Sequence, residues 1–187
     1  MAPQPVAVLV GPPASGKSTV MRHLARRLGV EGRDTDADVE GSTGVTVATI
    51  FAELGEPAFR ALERDAVAAA LTSHRGVLSL GGGAVLDPAT QERLAAYAAA
   101  GGVVVFLDVS RAHAARRLRG DRSRPLLAGD AVTRWDELMT ARRPVYEAVA
   151  TLRVATDAEG PRRVVEEIAR HIEQARQDAA PRTEEDA

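Results

Sequence analysis

VAVLVGPPASGKST, residues 6–19, decides the fold. Val6 to Val10 is an unbroken apolar run, the pattern of a strand buried on both faces of a parallel sheet. Gly11 to Thr19 then matches G-x-x-x-x-G-K-[ST]. A helical pattern runs from Lys17 to Leu28, with Gly29 placed as its C-cap. In a strand–loop–helix succession, the loop N–H groups and the helix N-terminus present fixed positive ends to phosphate oxygens. Lys17 is expected to reach the β- and γ-phosphates, and the Ser18 hydroxyl to ligate Mg2+. The reading is therefore an ATP or GTP site formed by Gly11, Pro12, Pro13, Ala14, Ser15, Gly16, Lys17, Ser18 and Thr19.

Working outward, strands and helices alternate. A weak second strand ends in Asp34-Thr35-Asp36, and helices are expected over Val47 to Glu53 and Pro57 to Leu71. Val77 to Leu80 is a strand, Pro88 to Ala99 a helix, and Val103 to Leu107 a strand. Ser110 is placed as the cap of a helix ending near Leu118. A polar stretch, Arg119 to Asp130, precedes a helix from about Val132 to Ala141. Thr151 to Val154 is the last strand and Pro161 to Ala175 the last helix. Alternation of this kind predicts an α/β fold, an open parallel sheet covered on both faces, with ligands beyond the strands' C-terminal ends.

The bulk composition narrows the function. The 187 residues carry 24 Lys plus Arg against 26 Asp plus Glu, a net charge of −2 without a basic run, so no nucleic-acid partner is expected. Cysteine is absent, which excludes disulfides, thiol catalysis and Cys-ligated zinc. No run reaches 18 apolar residues and MAPQP lacks a secretory pattern, so neither a membrane span nor a signal is expected and a cytoplasmic location is. A switch GTPase or motor ATPase would need more chain and its own recognition motifs, which favours phosphoryl transfer to a small acceptor.

In many phosphate-loop proteins the next core strand ends in a metal-holding Asp. Here the strand in LSLGGGAVLDP, residues 78–88, ends in Gly81, Gly82 and Gly83. A metal-side carboxylate must come from elsewhere. Asp34 and Asp36, two apart on a segment read as extended, would point the same way, one toward hydrated Mg2+ and one toward an acceptor hydroxyl. Arg60 in GEPAFRALE suits a carboxylate gripped by two N–H groups, or else a surface pair with Glu56 or Glu63. GDRSRPLLAG, residues 120–129, reads as a lid that brings Arg124 to the phosphates. Arg142, read at a helix end ahead of Pro144, is another anion ligand that sequence does not separate from Arg143. Asp108 is expected in a cap or loop, the four histidines on surfaces or helix faces, and Trp135 with Met139 on one helix face.

Together these residues resemble the shikimate kinases. The signs are GxxxxGKST at Gly11 to Thr19, DTD at Asp34 to Asp36, Ile50-Phe51 with GExxFRxxE at Gly55 to Glu63, LGGGA at Leu80 to Ala84, RPLL at Arg124 to Leu127, and RxPxY at Arg142 to Tyr146. The resemblance spans residues 5–172. It implies a three-layer fold with a five-stranded parallel sheet of order 2-3-1-4-5, and transfer of the ATP γ-phosphoryl group to the 3-hydroxyl of shikimate. It further implies catalytic roles for Lys17, Asp36 and Arg124, and metal contacts from Ser18 and, through water, Asp34. Asp36, Arg60, Gly81, Gly82, Gly83 and Arg142 would hold the acceptor. Arg117 or Arg119 would lie on adenine. A monomer and a single domain over residues 1–174 are expected, with an acceptor region at 34–62, a lid at 117–130 and a frayed tail at 175–187. A Val at Gly82 is expected to block the acceptor and spare ATP. Two alternatives share the motifs: a kinase of another small hydroxylated acid or cyclitol, and a nucleotide-binding protein without turnover. The chain departs from the family pattern at Pro12-Pro13-Ala14, and at Met21, where glycine is usual.

Overall fold

Val8 and Val10 of β1 (Ala7–Val10) point to one face of the sheet, Ala7 and Leu9 to the other. Val104 and Phe106 of β4 (Val104–Asp108) divide from Val105 and Leu107 in the same way. Both sets are fully buried, so two cores form. The computed structural model describes residues 4–118, 130–157 and 160–178. Among them β2 (Gly32–Asp34), β3 (Val77–Ser79) and β5 (Leu152–Ala155) complete a parallel sheet of order β2-β3-β1-β4-β5, as expected. Each Val, Leu or Phe withdrawn from water in these cores contributes about 1.5–3 kcal/mol.

On one face lie α1 (Lys17–Leu28) and α8 (Pro161–Asp178), joined over the sheet through Val20, Leu24, Ile168 and Ile172. On the other lie α4 (Gly55–Ser73), α5 (Pro88–Ala99), α6 (Arg111–Leu118) and α7 (Ala131–Val149). Two short helices, α2 (Thr35–Thr43) and α3 (Val47–Glu53), pack on α4 through Val39, Ile50 and Phe59, a satellite core.

Three expectations are corrected. Residues 35–36 are not extended, because α2 begins at Thr35. The α7 helix does not stop near Ala141 but runs through Pro144 to Val149. Its buried stripe of Trp135, Met139, Arg142 and Tyr146 continues across the proline, and the packing of Tyr146, stacked 5.2 Å from Phe106, offsets the backbone bond that proline lacks. The last helix extends to Asp178, past the expected start of the tail. Met21, the departure in α1, has a local partner: its side chain lies over Gly32 in β2, in space that any Gly32 side chain would fill.

Candidate active site

The phosphate loop leaves β1 at Gly11, where φ is +148° and a Cβ would come within 2.8 Å of the Leu107 carbonyl. Only glycine fits there. Four consecutive loop carbonyls are taken by side-chain donors. Lys17 Nζ donates to Gly11 O at 2.7 Å and Pro12 O at 3.1 Å, Trp135 Nε1–H to Pro13 O at 2.9 Å, and Arg117 Nη1 to Ala14 O at 3.0 Å. Pro12 and Pro13 carry no N–H, so the backbone donors available to an anion begin at Ala14 and continue into α1. Ala14 holds φ +65°, the left-handed region, and no other non-glycine residue among those described has positive φ. That conformation costs an L-residue about 1–2 kcal/mol.

Beside the loop, Ser18 Oγ donates to Asp34 Oδ2 at 3.2 Å. Asp34 ends β2 and caps α2, its Oδ1 accepting from Asp36 N–H at 3.1 Å. The two aspartates therefore share a cleft for a different reason than strand alternation: the chain turns into a helix between them. The cleft, of about 640 Å3, is lined by Pro13, Lys17, Ser18, Asp34, Asp36 and Gly82 among others. A hydroxyl and a carboxylate side by side, next to the loop lysine, are hard oxygen donors that suit Mg2+.

Of the three glycines Gly82 lines this cleft, and none of the three needs a positive φ. They provide space. A Cβ on Gly81 would overlap Glu63 Oε1 and Asp36 Oδ1, and one on Gly83 would overlap the Arg60 guanidinium. One on Gly82 would lie 3.3 Å from Pro13 Cδ and 3.6 Å from Gly11 O. A side chain at Gly82 would therefore meet the phosphate loop as well as the cleft. The Gly81 N–H is already donated to the buried Thr35 Oγ1, at 3.0 Å. The Gly82 carbonyl accepts from Arg142 Nη1 at 3.2 Å and Tyr146 Oη–H at 2.5 Å.

Glu63, which sequence reading treated only as an alternative surface partner for Arg60, is 2% exposed and belongs to the site. Arg60 donates to Glu63 at 2.6 Å and to Glu56 at 2.8 Å, so both proposed pairings exist at once. The signal was present in the i, i+3 spacing of Arg60 and Glu63 on one helix, but their burial arises from packing against Gly81 and Gly83. Burial pushes the Asp36 carboxyl up to about 6, with Asp34 and Glu63 adding to it and Lys17 and Arg60 opposing. Burial also raises Glu63, against the pull of Arg60. Asp36 Oδ1 and Glu63 Oε1 are buried and have no hydrogen-bond partner among the described residues.

Neighbours on α7 separate cleanly. Arg142 is buried toward Gly82, whereas Arg143 pairs with Asp108 at 2.8 Å. Asp108 is the final residue of β4 rather than a cap or loop residue; burial pushes its carboxyl up, but Arg143 and Arg153 outweigh this and hold it below the usual range. Arg117 also donates to Thr156 O at 2.7 Å, and lines a second cavity of about 220 Å3 with Ser15, Thr19, Thr156, Pro161 and Val164. Arg119 and Arg124, with most of the expected lid, lie outside the described residues.

The comparisons with known proteins agree. The shikimate kinase family model matches residues 13–173. A shikimate kinase of Thermobifida fusca is 48% identical over 172 residues, which is 92% of this chain and 97% of that one. One from Mycobacterium tuberculosis is 50% identical over 169 residues, covering 90% of this chain and 91% of the relative. Among solved structures, the Acinetobacter baumannii shikimate kinase in complex with shikimate superposes with a TM-score of 0.85 at 32% identity, covering 92% of this chain and 94% of that one. A gluconokinase from Sinorhizobium meliloti, at 20% identity and a TM-score of 0.59, shares the fold alone. By sequence match and by fold, the chain belongs to the shikimate kinase family.

Proposed function

We propose that the protein transfers the γ-phosphoryl group of ATP to the 3-hydroxyl of shikimate, giving shikimate 3-phosphate and ADP. One observation supports this above the rest: on Gly81, Gly82 and Gly83 converge two carboxylates and two guanidiniums drawn from three helices, immediately beside the phosphate loop. That set fits an acceptor carrying both a carboxylate and hydroxyls. Arg60 and Arg142 hold the carboxylate, and the buried, unpartnered oxygens of Asp36 and Glu63 accept from hydroxyls.

The loop N–H groups from Ala14 to Thr19 and Lys17 bind the phosphates. Arg117 lies against the base, in the cavity it lines with Pro161. Ser18 and, through water, Asp34 would hold Mg2+, which would supply charge neutralisation of the phosphates. Asp36, with its pKa near 6, is mostly ionised at pH 7 and yet basic enough to take the proton of the accepting hydroxyl. In the transfer, the acceptor oxygen bonds to the γ-phosphorus, the bond from that phosphorus to the β–γ bridging oxygen breaks, and the proton passes to Asp36. Arg124 stabilises the charge on the transferring group. The protein acts as a monomer in the cytoplasm. Nearly all of the catalysis is positioning and exclusion of water.

The test is a coupled ADP-release assay with Mg2+ and ATP over shikimate, quinate, gluconate, cyclitols and nucleoside monophosphates. ADP release is expected with shikimate above all others. Turnover of a different acceptor, with none on shikimate, refutes the reading.

A further inference from the structure

Trp135, the chain's one tryptophan, is 3% exposed and sits in the second turn of α7. Its ring packs in the core that also holds Leu80, Phe106, Met139 and Tyr146, and its Nε1–H donates to Pro13 O at 2.9 Å. Core burial alone would be served by phenylalanine or leucine. A buried indole needs a partner for its N–H, and here that partner is the backbone of the phosphate loop.

The loop carbonyl it holds is the only one of four consecutive carbonyls that is served from α7; the others are taken by Lys17 within the motif and Arg117 on α6. Pro13 faces Gly82 across 3.3 Å from the glycine's missing Cβ. Gly82 in turn is held by Arg142 and Tyr146, on the same buried stripe of α7 as Trp135. Trp135 and Arg142 are seven residues apart, about two helical turns or ~10 Å. The contacts close a ring: α7 to the phosphate loop, the loop to the acceptor-side glycines, and the glycines back to α7.

We propose that Trp135 is a positioning residue for the phosphate loop, and that its hydrogen bond to Pro13 couples nucleotide binding to acceptor binding through α7. A loop released from Trp135 loses the shape that aims its N–H groups at the phosphates, and its contact with Gly82 loosens with it. Linkage then requires that each ligand's effect on the other falls by the same factor. The inference rests on the phosphate loop being the nucleotide site and shikimate the acceptor.

Trp135→Phe keeps the ring and deletes the donor. Loss of one neutral hydrogen bond corresponds to about a fivefold effect. The Kd for MgADP, measured calorimetrically, is expected to rise about fivefold, while the Kd for shikimate without nucleotide stays within twofold. The ratio of shikimate Kd without and with MgADP should move toward one. Trp135→His, which restores a ring N–H in a smaller side chain, should recover part of the nucleotide affinity. Thermal melting of each variant separates these effects from a loss of fold, because a purely structural role lowers the melting temperature and both affinities together. Unchanged MgADP affinity and coupling in a folded Trp135→Phe overturns the inference and leaves the kinase reading intact. Failure of the unsubstituted protein to bind MgADP overturns both.

Discussion

The guanidinium of Arg60 occupies the space that a side chain on Gly83 would fill. Arg60 reaches that place from the second turn of α4, held by Glu56 and Glu63 on its own helix. The glycine therefore makes room for the arginine.

Gly83→Ala tests this relationship. Gly83 has φ −105°, which alanine adopts without strain, so the substitution acts through its methyl group. Arg60 must swing away. Loss of charged hydrogen bonds to the acceptor, about 1.5–3 kcal/mol, should raise the KM for shikimate ten- to hundredfold while the KM for ATP stays within twofold. Steady-state kinetics with each substrate varied would decide it, and an unchanged shikimate KM would separate Arg60 from the acceptor.

Asp36 makes stability depend on pH in a stated direction. Its carboxyl is raised from 3.8 to about 6 in the folded chain, mainly by burial. Below the lower value both folded and unfolded chains hold the proton. Between the two values the folded chain retains a proton that the unfolded chain has released, so stability falls as pH rises. Above 6 the loss is complete, with an upper limit of about 3 kcal/mol. Glu63 acts in the same sense. Asp36→Asn should therefore raise the urea midpoint at pH 7.5 more than at pH 4, while lowering turnover by roughly 10²–10⁴. Equal midpoint shifts at the two pH values would contradict the assignment of burial as the cause.

Ala14 carries strain that glycine would relieve. Ala14→Gly removes the left-handed penalty but makes the unfolded chain more flexible, leaving a net gain of about 0.5–1 kcal/mol. For a chain of this size the melting temperature should rise by roughly 1–4 °C. A lower melting temperature would show that the Ala14 methyl, which touches the core holding Trp135, contributes more than the strain costs.

Met21 and Gly32 form a volume-matched pair across α1 and β2. Gly32→Ala should cost about 1–3 kcal/mol by overpacking, and Met21→Ala about 2–5 kcal/mol by leaving space. Combined, they should cost less than the two added, because the new methyl enters the space that Met21 vacates. Urea denaturation of the four proteins closes the cycle; strict additivity would mean that the two side chains do not share that space.

Much of the site was legible where chemistry is local. Lys17 and Ser18 follow from a motif whose spacing is the loop's own geometry, and the sheet order follows from the family resemblance. Asp34 and Asp36 were found through incorrect backbone geometry, since the turn into α2 depends on Val39 packing against Ile50 and Phe59 rather than on residues 34–36 alone. Glu63 was passed over because an Arg–Glu pair three apart looks the same on a solvated helix as in a buried site. Arg142 and Arg143 were inseparable because adjacent arginines differ only in which side of α7 they occupy.

By itself, the sequence determined the elements whose signal is short in range: buried apolar strands, the phosphate loop between β1 and α1, the caps, and the residue types that phosphates and a carboxylate require. The tertiary structure alone decided which of those residues meet. Helices α2, α4 and α7 come from distant parts of the chain, and only sheet packing brings Asp36, Glu63, Arg60 and Arg142 onto three consecutive glycines. Packing also carried α7 through Pro144, because buried contact on both sides of the proline outweighs one missing backbone bond.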